Sequence, residues 1–244
     1  MKLGARPGGA ILAVLHHHLP GSAMADIQVA GEYIVYSIRT MHQLAGRRIS
    51  IVGHSQGGMV SRWALRFWPD TRPLVDDLVG LAPSNHGTLD AGPMCDLGCA
   101  PAIWQQRNNA RFIAALNSGQ ETLPGISYTV VYTRTGSVVT PNFDTTGSSS
   151  PHGGGAAITS GAIQDVCPLD LAEHVSVGTY DNTADPKRVP RSGCVKPLQP
   201  GANPAPFTTD FAAAAAYLTL TLATYPHVAP EPPLACYVTM SCSP

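Results

Sequence analysis

Charged residues are scarce in this sequence of 244 residues. Asp, Glu, Lys and Arg together make up 13% of it, against about 25% in an ordinary soluble domain. The formal net charge is −1. The sequence therefore lacks the basic surface that binds nucleic acid or an anionic membrane surface, and we expect no nucleic-acid partner.

Long apolar runs are also missing. No stretch approaches the roughly 20 consecutive apolar residues of a membrane span, so we expect no transmembrane segment. Residues 1–15 carry basic residues before a brief apolar run, and Ala23–Ala25 resembles a cleavage site. The run is too short for a signal peptide, and His16–His18 interrupt it.

No two cysteines have the Cys-x-x-Cys spacing of a zinc site, and no histidine lies at ligand spacing beside a cysteine. We therefore predict no metal. An even number of cysteines in a loop-rich chain with few charges is typical of an oxidised, secreted protein. The six cysteines fall into close pairs, which predicts three disulfides, with buried free thiols as the alternative: Cys95–Cys99, Cys167–Cys194 and Cys236–Cys242.

Hydrophobic residues make up 44% of the chain, which is enough for a sizeable core. The length fits one α/β domain or two small ones, and no composition shift marks a boundary. We predict one domain over residues 1–244, with residues 1–10 of uncertain structure and a Pro-rich tail over 225–244. The 24 Gly and 22 Pro residues cluster in the second half, which favours long ordered loops there.

Short apolar runs alternate with stretches of helical periodicity, and this alternation predicts a mostly parallel sheet with helices on both faces. The predicted strands cover residues 11–15, 49–52, 74–83 and 126–133. The predicted helices cover residues 26–44, 58–67, 103–116 and 207–223, the first capped by Ser22 or Asp26. A long loop region rich in Gly, Ser, Pro and Thr is predicted from residue 134 to about 206.

One sequence motif is typical of a catalytic serine. Residues 53–57 read GHSQG and match G-x-S-x-G between a predicted strand and a predicted helix. Such a sharp turn would push the Ser55 hydroxyl out at the end of the sheet, with Gly53 and Gly57 avoiding collisions. The Gln56 N–H, at the helix N-terminus, would donate to a developing oxyanion. The alternative is an ordinary Gly-rich turn.

A serine hydroxyl needs a base, and in this fold the chain order is Ser, acid, His. Three histidines after Ser55 are candidates for this base. His86 comes too early for that order, and His152 lies in a flexible Gly/Ser stretch. His174 follows Cys167 closely, so that a disulfide could hold its loop rigid, and it is the predicted base. A merely solvated loop histidine is the alternative.

From about Leu19 onwards the sequence resembles the family of secreted α/β-hydrolase lipases typified by Candida antarctica lipase B and its bacterial relatives. The matching stretches are DIQVAGEYIVYSI, GHSQGGMVSRWALRFWP, VDDLVGLAPSNHGTLDAGP, WQQ and VYTRTGSVVTPN, followed by the Ala-rich final helix. The resemblance implies a secreted hydrolase of carboxylic esters, including triacylglycerols, without metal or cofactor, and we expect a monomer. It implies that Ser55 is the nucleophile, that His174 is the base and that the Gln56 amide donates to the oxyanion. It also implies that the acyl side of the pocket is lined by Ser84, Thr88 and Gln106.

Two departures from the family pattern stand out. The family's acid follows the strand ending VYT, where this chain has Gly136, and a missing acid can cost about 10⁴-fold in rate. Asp144 is a weak substitute, and a solvated turn aspartate is the alternative.

The second departure is at the N-terminus. The family has one strand before the equivalent of residues 11–15, and the loop after it supplies the remaining oxyanion donors. We therefore expect an α/β-hydrolase fold lacking that first strand and oxyanion loop, through a truncated gene model that also lost the signal peptide. Two hypotheses follow: a lipase, esterase or acyltransferase acting through a Ser55 acyl-enzyme, or a catalytically impaired relative that only binds lipid or ester.

Overall fold

The computed structural model describes residues 2–5, 11–14, 20–179, 216 and 219–240. The strands are β1 (Lys2–Ala5), β2 (Ile11–Val14), β3 (Ile49–His54), β4 (Val75–Leu81), β5 (Ser127–Tyr132) and β6 (Ile158–Ala162). The helices are α1 (Ile27–Ala45), α2 (Gln56–Phe67), α3 (Ala91–Met94), α4 (Pro101–Gln105), α5 (Arg111–Asn117), α6 (Ile163–Val166) and α7 (His174–Thr179). A further helical turn covers Cys236–Thr239.

The main sheet has four strands in the order β3-β4-β5-β6, and all three pairings are parallel. The predicted mostly parallel sheet is therefore confirmed, with strands near residues 49, 75 and 127 as expected. β6 was missed, because ITSGA is short, polar and contains glycine, and it lies inside the predicted loop region. That part of the loop prediction is wrong.

The strand predicted over residues 11–15 forms as β2, but it does not join the parallel sheet. It pairs antiparallel with β1, in the register Lys2↔Val14. Within the described residues β3 therefore has β4 as its one partner, and Val52 on β3 is 66% exposed.

Helix α1 begins and ends as its sequence predicts. The Asp26 side chain accepts a hydrogen bond from the Gln28 N–H at 2.8 Å, which is the usual role of an N-cap aspartate. Gly46 ends the helix with φ 62°, and its N–H donates to His42 O at 2.9 Å. Asp26, and not Ser22, is the cap.

The single helix predicted over residues 103–116 is wrong, because the chain turns between α4 and α5. Residues after Gln106 pair with Thr88 instead of continuing the helix: the Thr88 N–H donates to Gln106 O at 2.7 Å, and the Asn108 N–H donates to Thr88 O at 3.3 Å. The α5 N-terminus is then capped from far along the chain, since the Glu231 carboxylate accepts the Phe112 N–H at 3.0 Å.

The core has two sides. On one, α1 and α2 cover the sheet, and the fully buried Trp63 stacks on Phe112 with ring centroids 4.0 Å apart. On the other, Val131 of β5 contacts Ile163 and Val177 of the later helices. Because strand side chains alternate between faces, this second cluster lies opposite Tyr128, which belongs to the first core.

The segment predicted as a Pro-rich tail is part of this core. The Trp63 indole N–H donates to the Tyr237 hydroxyl at 3.1 Å, and the Ala235 N–H donates to Gln28 Oε1 at 2.6 Å. Of the Ala-rich helix predicted over 207–223, residues 216 and 219–224 are helical, and the rest lies outside the described residues.

The Cys95–Cys99 disulfide is confirmed. Cys167 and Cys236 are also disulfide-bonded, and the partners predicted for them, residues 194 and 242, lie outside the described residues. Among the helices that the structure describes, none combines the length and the apolar character needed to cross a bilayer.

Candidate active site

Ser55 sits at a strained turn between β3 and α2. Its φ of 55° and ψ of −128° are unusual for a residue with a side chain, and such conformations cost about 1–3 kcal/mol. The turn is held by two backbone hydrogen bonds: the Ser55 N–H donates to Leu81 O at 2.9 Å, and the Gly58 N–H donates to Ser55 O at 3.1 Å. Strain maintained in this way is typical of functional residues.

Two glycines make the turn possible: Gly53, as predicted, and Gly58 in place of the predicted Gly57. A Cβ at Gly53 would lie 2.5 Å from the Gly57 carbonyl carbon and the Gly58 nitrogen, and one at Gly58 would lie 2.8 Å from Pro83 Cβ. A Cβ at Gly57 would meet nothing within 4 Å. The predicted collision at Gly57 is therefore wrong, because the crowding falls on the next residue of the helix.

Gln56 is the first residue of α2, where a backbone N–H has no partner inside the helix and the helix dipole favours negative charge. Its side chain is linked to predicted pocket residues: Gln106 Nε2 donates to Gln56 Oε1 at 3.2 Å, and the Ser84 hydroxyl donates to Gln106 Oε1 at 2.8 Å. Thr88 joins them through its backbone bond to Gln106, while its hydroxyl lies 3.5 Å from that of Thr140. The structure thus brings these four residues together beside the turn.

His174 begins α7 and is only 5% exposed. It lies against the residue that precedes Ser55: His54 Nε2 is 2.8 Å from the His174 carbonyl oxygen, and the two imidazole centroids are 4.8 Å apart. Gly178, one turn further along α7, leaves the space for His54, since a Cβ there would lie 2.4 Å from the ring. His54 had no sequence signal beyond its position next to Ser55.

Among the residues that the structure describes, no charged group offsets the burial of the His174 imidazole. Burial first, and the neighbouring His54 second, lower the pKa of His174 to about 3. Among the described residues its ring makes no hydrogen bond, to Ser55 or to a carboxylate. His174 is therefore neutral at pH 7.

The expected acid position, Gly136, lies close to the backbone of His174. A Cβ built on Gly136 would lie 3.8 Å from the His174 backbone nitrogen and 2.9 Å from Thr133 Cγ2. The substitute considered from the sequence is occupied elsewhere, since Asp144 accepts hydrogen bonds from the Thr146 N–H and hydroxyl at 2.8 and 2.6 Å. Glu173 likewise accepts the N–H groups of the first turn of α7.

The two rejected histidines lie together, in a different cluster. The rings of His86 and His152 stack with centroids 3.8 Å apart, and His86 Nε2 is 3.0 Å from Glu121 Oε2. Of the three candidates, His174 is the one in contact with the residue next to Ser55.

The asymmetry between the glycines is testable. We expect Gly53→Ala to lower the free energy of unfolding by about 3 kcal/mol or more, because its methyl group would meet fixed backbone atoms. Gly57→Ala is the matched control, and it should leave stability unchanged or raise it by up to about 1 kcal/mol. Urea unfolding measures both, and equal effects of the two substitutions would contradict the geometry.

The buried His174 predicts a specific acid sensitivity. Its pKa is about 3 in the folded chain, against 6.5 for an unperturbed histidine. Between these two pH values the unfolded chain is protonated at this residue and the folded chain is not. The associated stability is complete above pH 6.5 and is lost as the pH falls, amounting to roughly 3 kcal/mol between pH 7.5 and 4. In urea unfolding, the free energy of unfolding of His174→Asn should therefore fall by roughly 3 kcal/mol less over this pH range than that of the unmodified chain. Parallel pH profiles would show that His174 is not buried in its neutral form.

With this geometry in hand, comparisons with known proteins give three findings. Residues 12–100 match the family described as "Putative serine esterase (DUF676)". The chain is 34% identical to lipase B of Pseudozyma antarctica over 124 residues, which are 50% of this chain and 36% of that protein. The crystal structure of Aspergillus fumigatus lipase B superposes with a TM-score of 0.76 at 25% identity, covering 90% of this chain and 58% of that one.

The chain thus spans about a third of the length of the first lipase B and little more than half of the second. These matches agree with two predictions from the sequence: the parallel sheet flanked by helices, and the resemblance of the motifs to the lipase B family. The chain is therefore similar to the lipase B proteins in sequence and in structure, and it has an α/β-hydrolase fold.

Proposed function

We propose that this chain is a serine hydrolase of carboxylic esters, a lipase or esterase that acts through Ser55. The observation that carries the proposal is the strained backbone of Ser55 at the N-terminus of α2. The lipase B relatives and the serine esterase family over residues 12–100 support it.

The proposed reaction has two steps. The Ser55 hydroxyl attacks the ester carbonyl while His174 takes its proton, and the resulting oxyanion accepts a hydrogen bond from the Gln56 N–H. The C–O bond to the alcohol then breaks, and His174 returns the proton to the leaving alcohol. Water cleaves the acyl-enzyme by the same sequence of events, with Ser84, Thr88 and Gln106 lining the acyl side.

The electrostatics of His174 set a limit on the rate. A base is most effective when its pKa lies near the working pH, whereas the pKa of His174 is about 3. The ring can accept a proton at pH 7, but no carboxylate hydrogen-bonded to it within the described residues stabilises the imidazolium that forms. We therefore expect slow turnover.

The second candidate function is a relative that binds a lipid or ester without cleaving it. Two observations favour it: a glycine near the His174 backbone occupies the position where an acid is expected, and the buried ring is held in its neutral form. A binder would keep the pocket residues and the fold, and it would lose the acyl-enzyme.

We also propose that residues 1–244 form one domain and that the protein is secreted and monomeric. The contacts of Glu231, Ala235 and Tyr237 with α5, α1 and α2 support a single domain. The disulfide bonding of Cys95, Cys99, Cys167 and Cys236 supports an oxidising environment.

The two functions are separated by the covalent step. We expect the folded chain to hydrolyse p-nitrophenyl butyrate slowly and to be labelled on Ser55 by a fluorophosphonate, which mass spectrometry of peptides would locate. Ser55→Ala should lose the label and at least about 10³-fold in turnover. A folded sample with neither label nor turnover would overturn the esterase proposal, and ester binding by that sample would then favour the second candidate.

A carboxylate placed at Gly136 should raise activity. Thr133→Ser first removes the methyl group that crowds this position while keeping the hydroxyl. On that background we expect Gly136→Asp to increase kcat/KM by at least tenfold, since a negative charge beside His174 stabilises the imidazolium and raises the pKa of the ring.

Gly136→Asn, on the same Thr133→Ser background, is the matched control, because it has the same shape without the charge. The aspartate variant alone should gain a rate that increases with pH across the new pKa of His174. Equal rates for the two variants would show that the vacancy is not where the acid acts.

A further inference from the structure

The cluster of His86, Glu121 and His152 is outside the proposed catalytic site. His86 follows β4, Glu121 lies between α5 and β5, and His152 lies between β5 and β6. Each side chain offers one ligand atom, and these atoms all lie within 4.8 Å of one another. Three separate loops thus contribute two imidazoles and one carboxylate to a single point.

The distances approach those of a metal site. His86 Nε2 and Glu121 Oε2 are 3.0 Å apart, and two ligands of one tetrahedral zinc ion stand about 3.3 Å apart, given metal–ligand bonds of roughly 2.0–2.1 Å. Glu121 Oε2 also accepts the His152 backbone N–H at 2.9 Å. This bond fixes the carboxylate relative to the loop that carries the third ligand.

Glycines bring that loop against the Glu121 segment. The sequence after His152 is Gly153–Gly155, and a Cβ at Gly154 would lie 2.1 Å from Thr122 Oγ1 and 2.5 Å from Thr122 N. The Gly155 N–H donates to Thr122 O at 2.9 Å. The close approach of these two backbones places His152 beside Glu121.

The Glu121 carboxylate is only weakly engaged by the neighbouring Arg62. Arg62 NH2 is 3.8 Å from Glu121 Oε2, and its stronger hydrogen bonds go to Glu121 O at 3.0 Å and Asn117 Oδ1 at 2.9 Å. Glu121 therefore keeps lone pairs for a further cation.

The proton of the His86 ring occupies the place that a cation would take. Asn117 is oriented by Arg62, which donates to its Oδ1, and by Asn85 O, which accepts from its Nδ2 at 2.9 Å. Its amide N–H therefore faces His86 Nδ1, at 3.3 Å. The ring proton is then on Nε2, directed at Glu121. When a cation binds, it takes the place of this proton on Nε2, and the proton moves to Nδ1. The long hydrogen bond from Asn117 to Nδ1 is then lost, because Nδ1 no longer accepts.

The remaining ligand has room to move into place. In the stacked arrangement the His152 ring is nearly parallel to that of His86, at 11°, so it must turn for both nitrogens to point at one ion. His152 is exposed and lines a cleft of about 650 Å³ together with Thr145, Thr146 and Gly153. The cleft gives the ring space to rotate and gives water access to the open coordination position.

We propose that His86, Glu121 and His152 bind one divalent transition-metal ion, of which zinc is the representative, and that the ion fastens the three loops together. Two imidazoles and a carboxylate suit zinc, with water as the fourth ligand. The site is built from residues that the ester-cleaving proposal does not use, and it stands or falls independently of Ser55.

The test is zinc binding by the full chain after treatment with a chelator. His16–His18 are first replaced by asparagine, so that this run of histidines cannot bind the metal. The disulfide-bonded cysteines Cys95, Cys99, Cys167 and Cys236 offer no thiolates. We expect calorimetry to give one zinc per chain, and zinc at about 100 times its Kd to raise the Tm by roughly 5 °C or more.

Three variants distinguish this site from adventitious binding. His152→Asn, at an exposed position, and Glu121→Gln, which keeps the shape and an acceptor oxygen, should each weaken zinc binding at least tenfold and lose the Tm shift. His227→Asn is the control, since this exposed histidine lies outside the cluster and its loss should change nothing. Failure of zinc to saturate, or equal affinities in all variants, would overturn the proposal, and circular dichroism without metal confirms that each variant is folded.

Discussion

The structure around Ser55 depends on one crowded backbone contact. The end of β3 and the start of α2 approach so closely at Gly53 that a single methyl group would collide with the peptide between Gly57 and Gly58. This contact allows the positive φ of Ser55, and it directs the first turn of α2 at the carboxyl end of the sheet. The orientation of the Gln56 amide and the contact of His54 with α7 both follow from it.

The two halves of the candidate site are unequally built. On the serine side, the strained turn, the helix terminus and the hydrogen-bonded series Gln56, Gln106 and Ser84 are all present. On the histidine side, the ring is buried beside another imidazole, and a glycine lies near the His174 backbone at the position where an acid is expected. The serine side has the geometry of a catalytic site, whereas the histidine side, as far as the described residues go, lacks the negative charge that would make a buried imidazole a strong base.

The sequence predicted the features that are determined locally. Periodicity located α1, α2 and the three strands around the serine, and Asp26 and Gly46 ended the first helix as short-range rules require. It failed where distant segments decide. The helix predicted after residue 103 is interrupted because Gln106 and Asn108 hydrogen-bond to Thr88. Gly58, and not Gly57, is the crowded glycine because it packs against Pro83. The short polar strand β6 forms because it pairs with β5.

The prediction of no metal rested on cysteine spacing, which carries no information about the His86, Glu121 and His152 cluster. Its members are 35 residues apart (121 − 86) and 31 residues apart (152 − 121), so only the folded topology places them together. Likewise, the contact of His174 with His54, next to Ser55, could not be predicted, because the two residues are 120 positions apart in the sequence.

The position of β3 has a consequence for local stability. Within the described residues it is hydrogen-bonded along one side, and Val52 at its centre is largely exposed. Among the described residues, no strand pairs with the backbone groups along its other side. Local opening of β3 therefore breaks fewer hydrogen bonds than opening of β4 or β5, each of which is paired on both sides. The strand that leads to Ser55 is then, like β6 at the opposite edge, more easily loosened than the two central strands, and any strand that pairs alongside it would stiffen the turn at Ser55.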